Sequence, residues 1–139
     1  MSESRPVGPT FVREDARGTF VEVVNAGPWE TVATATMHRG SVLGNHYHKR
    51  ARLYLYIMRG SADVHRINLA DGARSQCRLA ASEGVILEPH VAHAIKFREE
   101  SNLLLLKSQR YGAEDPDTYP YAVLPIDPTN DETQIQSSK

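Results

Sequence analysis

Short runs rich in Val, Thr, Leu and Tyr alternate with Gly, Pro, Asn and Asp at close spacing, and no segment holds a helical apolar period for three turns. That punctuation restricts the chain to an all-β fold with few and short helices. The spacing predicts strands near Gly18–Val24, Thr31–His38, Gly44–His48, Arg52–Arg59, Ser61–Asn68, Ser75–Ala80, Gly84–Leu87, His93–Phe97 and Asn102–Gln109. Ala70-Asp-Gly-Ala73 reads as a turn, and Arg59-Gly60-Ser61 as a tight connection between strand ends. The Leu103–Leu106 run reads as a fully buried strand that carries packing alone. A chain of 139 residues without internal repeats makes one domain with a real core. That domain is expected over residues 11–126, with a loose arm at 1–10 and a polar tail at 127–139. Just before the tail, Asp115-Pro-Asp-Thr-Tyr119-Pro-Tyr121 combines prolines with two tyrosines, which predicts packing against the sheets or a neighbouring subunit.

Composition narrows the function classes. A net charge of -1, from 16 basic and 17 acidic residues, gives no electrostatic footprint for nucleic acid or membrane binding. No apolar run reaches the length needed to span a bilayer, and the start lacks a secretory pattern, so a cytoplasmic protein is expected. Cys77 is the only cysteine, which removes internal disulfides and thiolate clusters and leaves a partly buried strand thiol as its ordinary role.

The chemistry concentrates in two stretches. The first is Gly40-Ser-Val-Leu-Gly-Asn-His46-Tyr-His48, followed by Gly60, and the second is Gly84-Val-Ile-Leu-Glu-Pro89-His-Val-Ala-His93. A His-x-His pair on a strand puts two imidazoles on one face, because side chains alternate with period two. His93, on a later strand, joins them if the sheet curls, and three such rings make a metal site or an acid/base cluster. His38 and His65 have no spacing partner and read as strand residues near the surface; His90 sits in the proline turn beside the site.

Gly40, five residues, His46-x-His48 and Gly60 resemble the first signature of the cupin superfamily. Gly84, four residues, Pro89 and His93 resemble the second. The resemblance covers roughly residues 11–110 and implies a double-stranded β-helix, the jelly-roll or cupin barrel, with its site at the mouth. Nearer resemblances lie in Asp15-Ala-Arg17-Gly-Thr-Phe-Val-Glu-Val-Val, similar to the opening strand of dTDP-4-dehydrorhamnose 3,5-epimerase-like cupins. Gly-Asn-His-Tyr-His-Lys at 44–49 and Pro-Asp-Thr-Tyr at 116–119 are similar to capsular polysaccharide assembly cupins. Nucleotide-sugar 3,4-ketoisomerases carry a comparable Gly-x-His-x-His-Lys stretch.

The resemblance implies His46, His48 and His93 as metal ligands. Where many metal cupins carry a glutamate, five residues after the second histidine, this chain has Leu53. Three neutral nitrogen ligands with open positions suit Zn, Fe(II), Ni or Cu. Glu88 and His90 are the candidate catalytic acid/base groups near the rim, and Lys49, Arg17 and Arg39 are candidates for an anionic ligand. Arg52 is expected to point outward, beside an inward Leu53. Tyr54 and Tyr56, on the face opposite Leu53, Leu55 and Ile57, are expected either under another layer or, exposed, with the arm at 1–20 in a homodimer interface.

The expected function is a small metal-dependent enzyme acting on a keto-bearing small molecule. Isomerisation, epimerisation or cyclisation of a deoxysugar nucleotide or natural product is the leading class. The alternatives are a three-histidine Fe(II) dioxygenase and a metal-free sugar-binding or accessory cupin.

Overall fold

Strand alternation and frequent turns build two antiparallel sheets that face each other. A computed structural model describes residues 6–110 and 112–125. The strands run β1 (Phe11–Asp15), β2 (Gly18–Glu22), β3 (Thr31–Met37), β4 (Val42–Tyr47), β5 (Leu53–Arg59), β6 (Ala62–Asn68), β7 (Arg74–Leu79), β8 (Glu83–Leu87), β9 (Val91–Phe97), β10 (Ser101–Lys107) and β11 (Tyr119–Pro120). One sheet has the order β3-β10-β5-β8, the other β11-β4-β9-β6-β7, and β1-β2 forms a separate hairpin. The result is a jelly-roll cupin barrel. Among the described residues there is no helix, and so none long and apolar enough to cross a membrane.

The nine strands expected from the spacing are present, with ends within two residues of their predicted places. Two further strands appear. β1 exists through its pairing with β2, and β11 is two residues long and is a strand only because it pairs with β4. Residues 1–5 of the expected arm and the whole 127–139 tail lie outside the described residues. Val7, within the expected arm, exchanges two backbone hydrogen bonds of 2.7 Å with Gly84.

The inner faces follow from register. Leu53, Leu55 and Ile57 on β5 stand opposite Leu87, Val85 and Glu83 on β8, while Leu103 and Leu105 on β10 meet Ile57 and Leu55 from the other side. From the second sheet come Ala62 and Val64 of β6 and Ile95 and Phe97 of β9, and together these apolar side chains make the main core. The Leu103–Leu106 run is divided between two cores: Leu103 and Leu105 pack inward, Leu104 and Leu106 outward.

Outside the first sheet lies the second core. Tyr54 and Tyr56 are 1% and 4% exposed, covered by Val23, Val24, Trp29, Ile86 and Leu104. These tyrosines therefore pack under a layer of their own chain, the first of the two expected placements, and are not exposed interface residues. Burial pushes the Tyr54 hydroxyl up to about 12, with Tyr56 adding to it. Arg52 points outward, as alternation requires, with its guanidinium 6.0 Å from the Trp29 ring.

Candidate metal and active site

The same alternation that fills the core places polar groups at one end of it. Phe97, Ile95 and His93 share the inner face of β9, and Ala62, Val64 and Arg66 share that of β6, so in this antiparallel pair both faces turn polar at the same end. On β10 the inward series Leu103, Leu105 ends in Lys107, directly opposite Leu53. The barrel interior is thus oily at one end and cationic or imidazole-lined at the other.

His46 reaches this interior because of a bulge. Leu43 pairs with Ile95 and Gly44 with Ala94, which would set Asn45 opposite His93. Instead the register shifts, Asn45 becomes the extra residue, and His46 pairs with His93. Gly44 at φ 110° and Asn45 at φ 60° supply the backbone conformations that the shift demands. The extra residue changes the parity of the strand: His46 takes the inward place, and His48, two further on, follows it.

His46, His48 and His93 converge, each offering a nitrogen, with all three nitrogens within 4.8 Å of one another. Ring centroids lie 5.0 Å apart for His46 and His48, 4.9 Å for His46 and His93, and 5.6 Å for His48 and His93. His48 and His93 are buried, and His48 Nε2 and His93 Nδ1 have no hydrogen-bond partner. Nitrogens desolvated without a partner are costly unless something binds them. Three neutral imidazoles with two orphaned nitrogens fit a borderline metal ion.

Electrostatics keep the rings neutral. Burial, then the proximity of His48 and Lys107, pushes His46 down to about 4. Burial lowers His48 as well, against a hydrogen bond to Asp117 that favours the charged ring. His93 is lowered well below the ordinary value, by burial and then by the neighbouring His46 and His48. A metal ligand must be unprotonated, so no proton competes for these nitrogens near pH 7.

The segment after the core straps the site in place. β11 pairs with β4, Tyr119 opposite Tyr47 and Pro120 opposite His46. Tyr47 and Tyr119 stack at 5.3 Å, and the Lys49 ammonium lies 4.5 Å from the Tyr119 ring. The Asn45 side-chain oxygen accepts hydrogen bonds from the Val123 and Leu124 amides at 2.8 and 2.9 Å. The packing expected for the tyrosine-bearing segment is made within the chain.

The other candidates lie outside the cluster of three rings. Glu88 sits 3.4 Å from the Arg52 guanidinium, both on the outer side just beyond the ends of β8 and β5, and does not join the histidine nitrogens. His90, exposed and at φ 63°, donates its backbone N–H to the His48 carbonyl at 2.7 Å. Arg17 is held by Asp15 at 2.6 Å, and Arg39 is exposed. His38 lies 3.8 Å from Glu100 at the surface, and His65 faces away from the interior next to inward Val64 and Arg66. Burial raises the Cys77 thiol, so it stays protonated at neutral pH.

Four residues of the site were not anticipated: Asn45, Arg66, Lys107 and Asp117. Arg66 and Lys107 were legible in principle, since each continues an apolar alternation in phase, after Ala62 and Val64 or after Leu103 and Leu105. Gly-Asn inside a strand pattern is likewise a bulge signal.

A jelly roll with a histidine cluster at its mouth defines a cupin. Residues 13–119 match the polysaccharide biosynthesis C-terminal domain family, and the chain belongs to that family. No curated protein matches it. Among solved structures, it resembles the capsular polysaccharide assembling protein CapF of Staphylococcus aureus, with 18% identity and a TM-score of 0.63 over 80% of this chain and 34% of that one. The chain therefore spans about a third of that protein's length. It also resembles the rmlC epimerase of Mycobacterium tuberculosis, with 14% identity and a TM-score of 0.71 over 96% and 86% of the two chains. A third likeness is to the 3,4-ketoisomerase QdtA of Thermoanaerobacterium thermosaccharolyticum, solved with TDP-4-keto-6-deoxyglucose, with 19% identity and a TM-score of 0.68 over 85% and 87%. At these identities the likeness concerns the fold.

Proposed function

We propose that this protein is a metal-dependent cupin enzyme that isomerises or epimerises a keto-bearing deoxysugar nucleotide. The observation that carries the proposal is the convergence of His46, His48 and His93 as neutral rings with two buried, unpartnered nitrogens. These three residues are the proposed ligands of one divalent ion, Zn, Fe(II) or Ni. When bound, such an ion polarises a carbonyl and acidifies the adjacent C–H. Lys107 and Arg66 add positive charge to the same interior, which suits an oxygen that becomes negative as a proton leaves the neighbouring carbon. For the base, His90 is the proposed rim group, because Glu88 lies on the outer side and is engaged by Arg52. The class of substrate is supported by the family and by the fold shared with a ketoisomerase and an epimerase.

The test is incubation of metal-loaded protein with TDP-4-keto-6-deoxyglucose in D2O, followed by proton NMR. Deuterium is expected at a carbon next to the ketone, and the exchange is expected to stop with chelator or in His93→Ala. Failure of exchange in the loaded protein would overturn the isomerase reading. Oxygen consumption with iron would instead mark a dioxygenase, and sugar-nucleotide binding without metal or turnover an accessory cupin.

A further inference from the structure

We propose that Asp117 is the positioning residue of the histidine cluster, holding the His48 proton on Nδ1 so that the Nε2 lone pair faces His46 and His93. The inference deepens the metal-centre reading above and rests on it for its functional meaning, though not for its geometry. His48 Nδ1 lies 2.7 Å from the backbone carbonyl of Asp117. A carbonyl oxygen only accepts, so Nδ1 must carry the hydrogen. A neutral ring has one such hydrogen, which leaves Nε2 as a bare acceptor, buried and without a partner.

What sets the carbonyl in place is the side chain of the same residue. Asp117 is 5% exposed. Its Oδ1 accepts the Lys49 amide at 2.9 Å, and its Oδ2 accepts the amides of Arg50 and Ala51 at 3.0 and 2.9 Å. Three consecutive N–H groups, beginning one residue after His48, form a nest around the carboxylate. The left-handed backbone of Asp117, at φ 55°, lets one residue turn its carbonyl to the ring and its carboxylate to the loop. Asp117 therefore clamps the ring and the chain leaving it at once. Asparagine would keep the backbone conformation but place an NH2 against at least one of the three donors. Histidine ligands in metal sites depend on such outer partners, whose loss typically weakens metal binding about 10–100-fold.

The experiment uses the full chain labelled with 15N-histidine, stripped of metal, in a long-range 1H–15N correlation at pH 7, together with zinc affinity by chelator competition. In the wild-type protein His48 is expected with its hydrogen on Nδ1. Asp117→Ala is expected to convert it to a mixture of tautomers and to weaken zinc binding 10–100-fold, with Asp117→Asn in between. A wild-type His48 protonated on Nε2 overturns the proposal without any variant, which keeps it testable if Asp117→Ala does not fold. A folded Asp117→Ala that keeps both tautomer and zinc affinity also overturns it. If the wild type binds no zinc while the tautomer responds to the substitution, the positioning role stands and the metal-centre reading falls.

Discussion

Gly44 shows how much of the site hangs on single backbone positions. A Cβ built there would stand 2.7 Å from the His93 carbonyl oxygen and 3.1 Å from His93 Cδ2, on a backbone at φ 110° that L side chains rarely adopt. Gly44→Ala must therefore push β9 away from β4, and His93 with it. We expect a loss of about 1–3 kcal/mol in stability, seen in urea unfolding, with a fall in zinc affinity. The histidines themselves predict a pH dependence. Their folded pKa values lie below the ordinary 6.5, with His46 at about 4. As pH falls below 6.5 the unfolded chain takes up protons that the folded protein refuses, so stability drops. The slope is about 1.4 kcal/mol per pH unit for each ring that stays neutral, and the His46 contribution levels off below about 4. Metal-free protein melted between pH 7 and 4 should show this fall; replacement of all three rings by glutamine should flatten it. A curve indifferent to that replacement would show that other groups govern acid stability.

At the scale of elements, the strap from 115 to 125 is held at two anchors rather than by its own sheet. β11 supplies only two residues, so Asn45 at one end and Asp117 at the other bear the attachment. Asn45→Ala removes the acceptor of two amides, at a cost of about 1–3 kcal/mol for each group left buried and unpaired. We expect faster hydrogen exchange at Val123 and Leu124 in that variant, with Ile57 and Phe97 still protected. Equal exchange at the strap in both proteins would mean that Asn45 does not anchor it. The Asp117 anchor has its own pH limit. Burial alone would raise its carboxyl, yet the amides of Lys49, Ala51 and Arg50 hold it below the usual 3.8. Its stabilising contribution is full above 3.8 and is lost as pH falls through the depressed folded value.

For the whole molecule, the unbalanced feature is the β1-β2 hairpin. Phe11 and Phe20 are 48% and 53% exposed, Val12 and Val21 are also exposed, and Val32 on the edge strand β3 is 64% exposed. A two-stranded hairpin whose apolar side chains stay exposed on both faces is marginal in water, and such exposure marks an interface. We propose that a second copy of the chain covers it, as a homodimer. Sedimentation of the wild-type protein should give twice the 15.5 kDa chain mass, and Phe11→Asp combined with Phe20→Asp should give the monomer. A wild-type monomer at tens of micromolar would dismiss the proposal.

The sequence by itself determined the class of fold, because period-two alternation and turn chemistry are local and survive without knowledge of partners. Nine strands and the inward places of Leu53, Leu55 and Ile57 follow from that, as does the separation of Arg52 from Leu53. Only the tertiary structure decided what meets what. The bulge at Asn45 sets His46 rather than Asn45 opposite His93, a change of one residue in register that strand periodicity cannot see. The cationic end of the barrel joins Arg66 and Lys107 from strands about forty positions apart, and Asp117 reaches His48 across 69 positions. Tyr54 and Tyr56 found their cover in Val23, Val24 and Trp29, which lie in the connection between β2 and β3. In each case the deciding contact is long-range, so its energy belongs to the folded chain, and local signs such as Gly44-Asn45 do not name the partner.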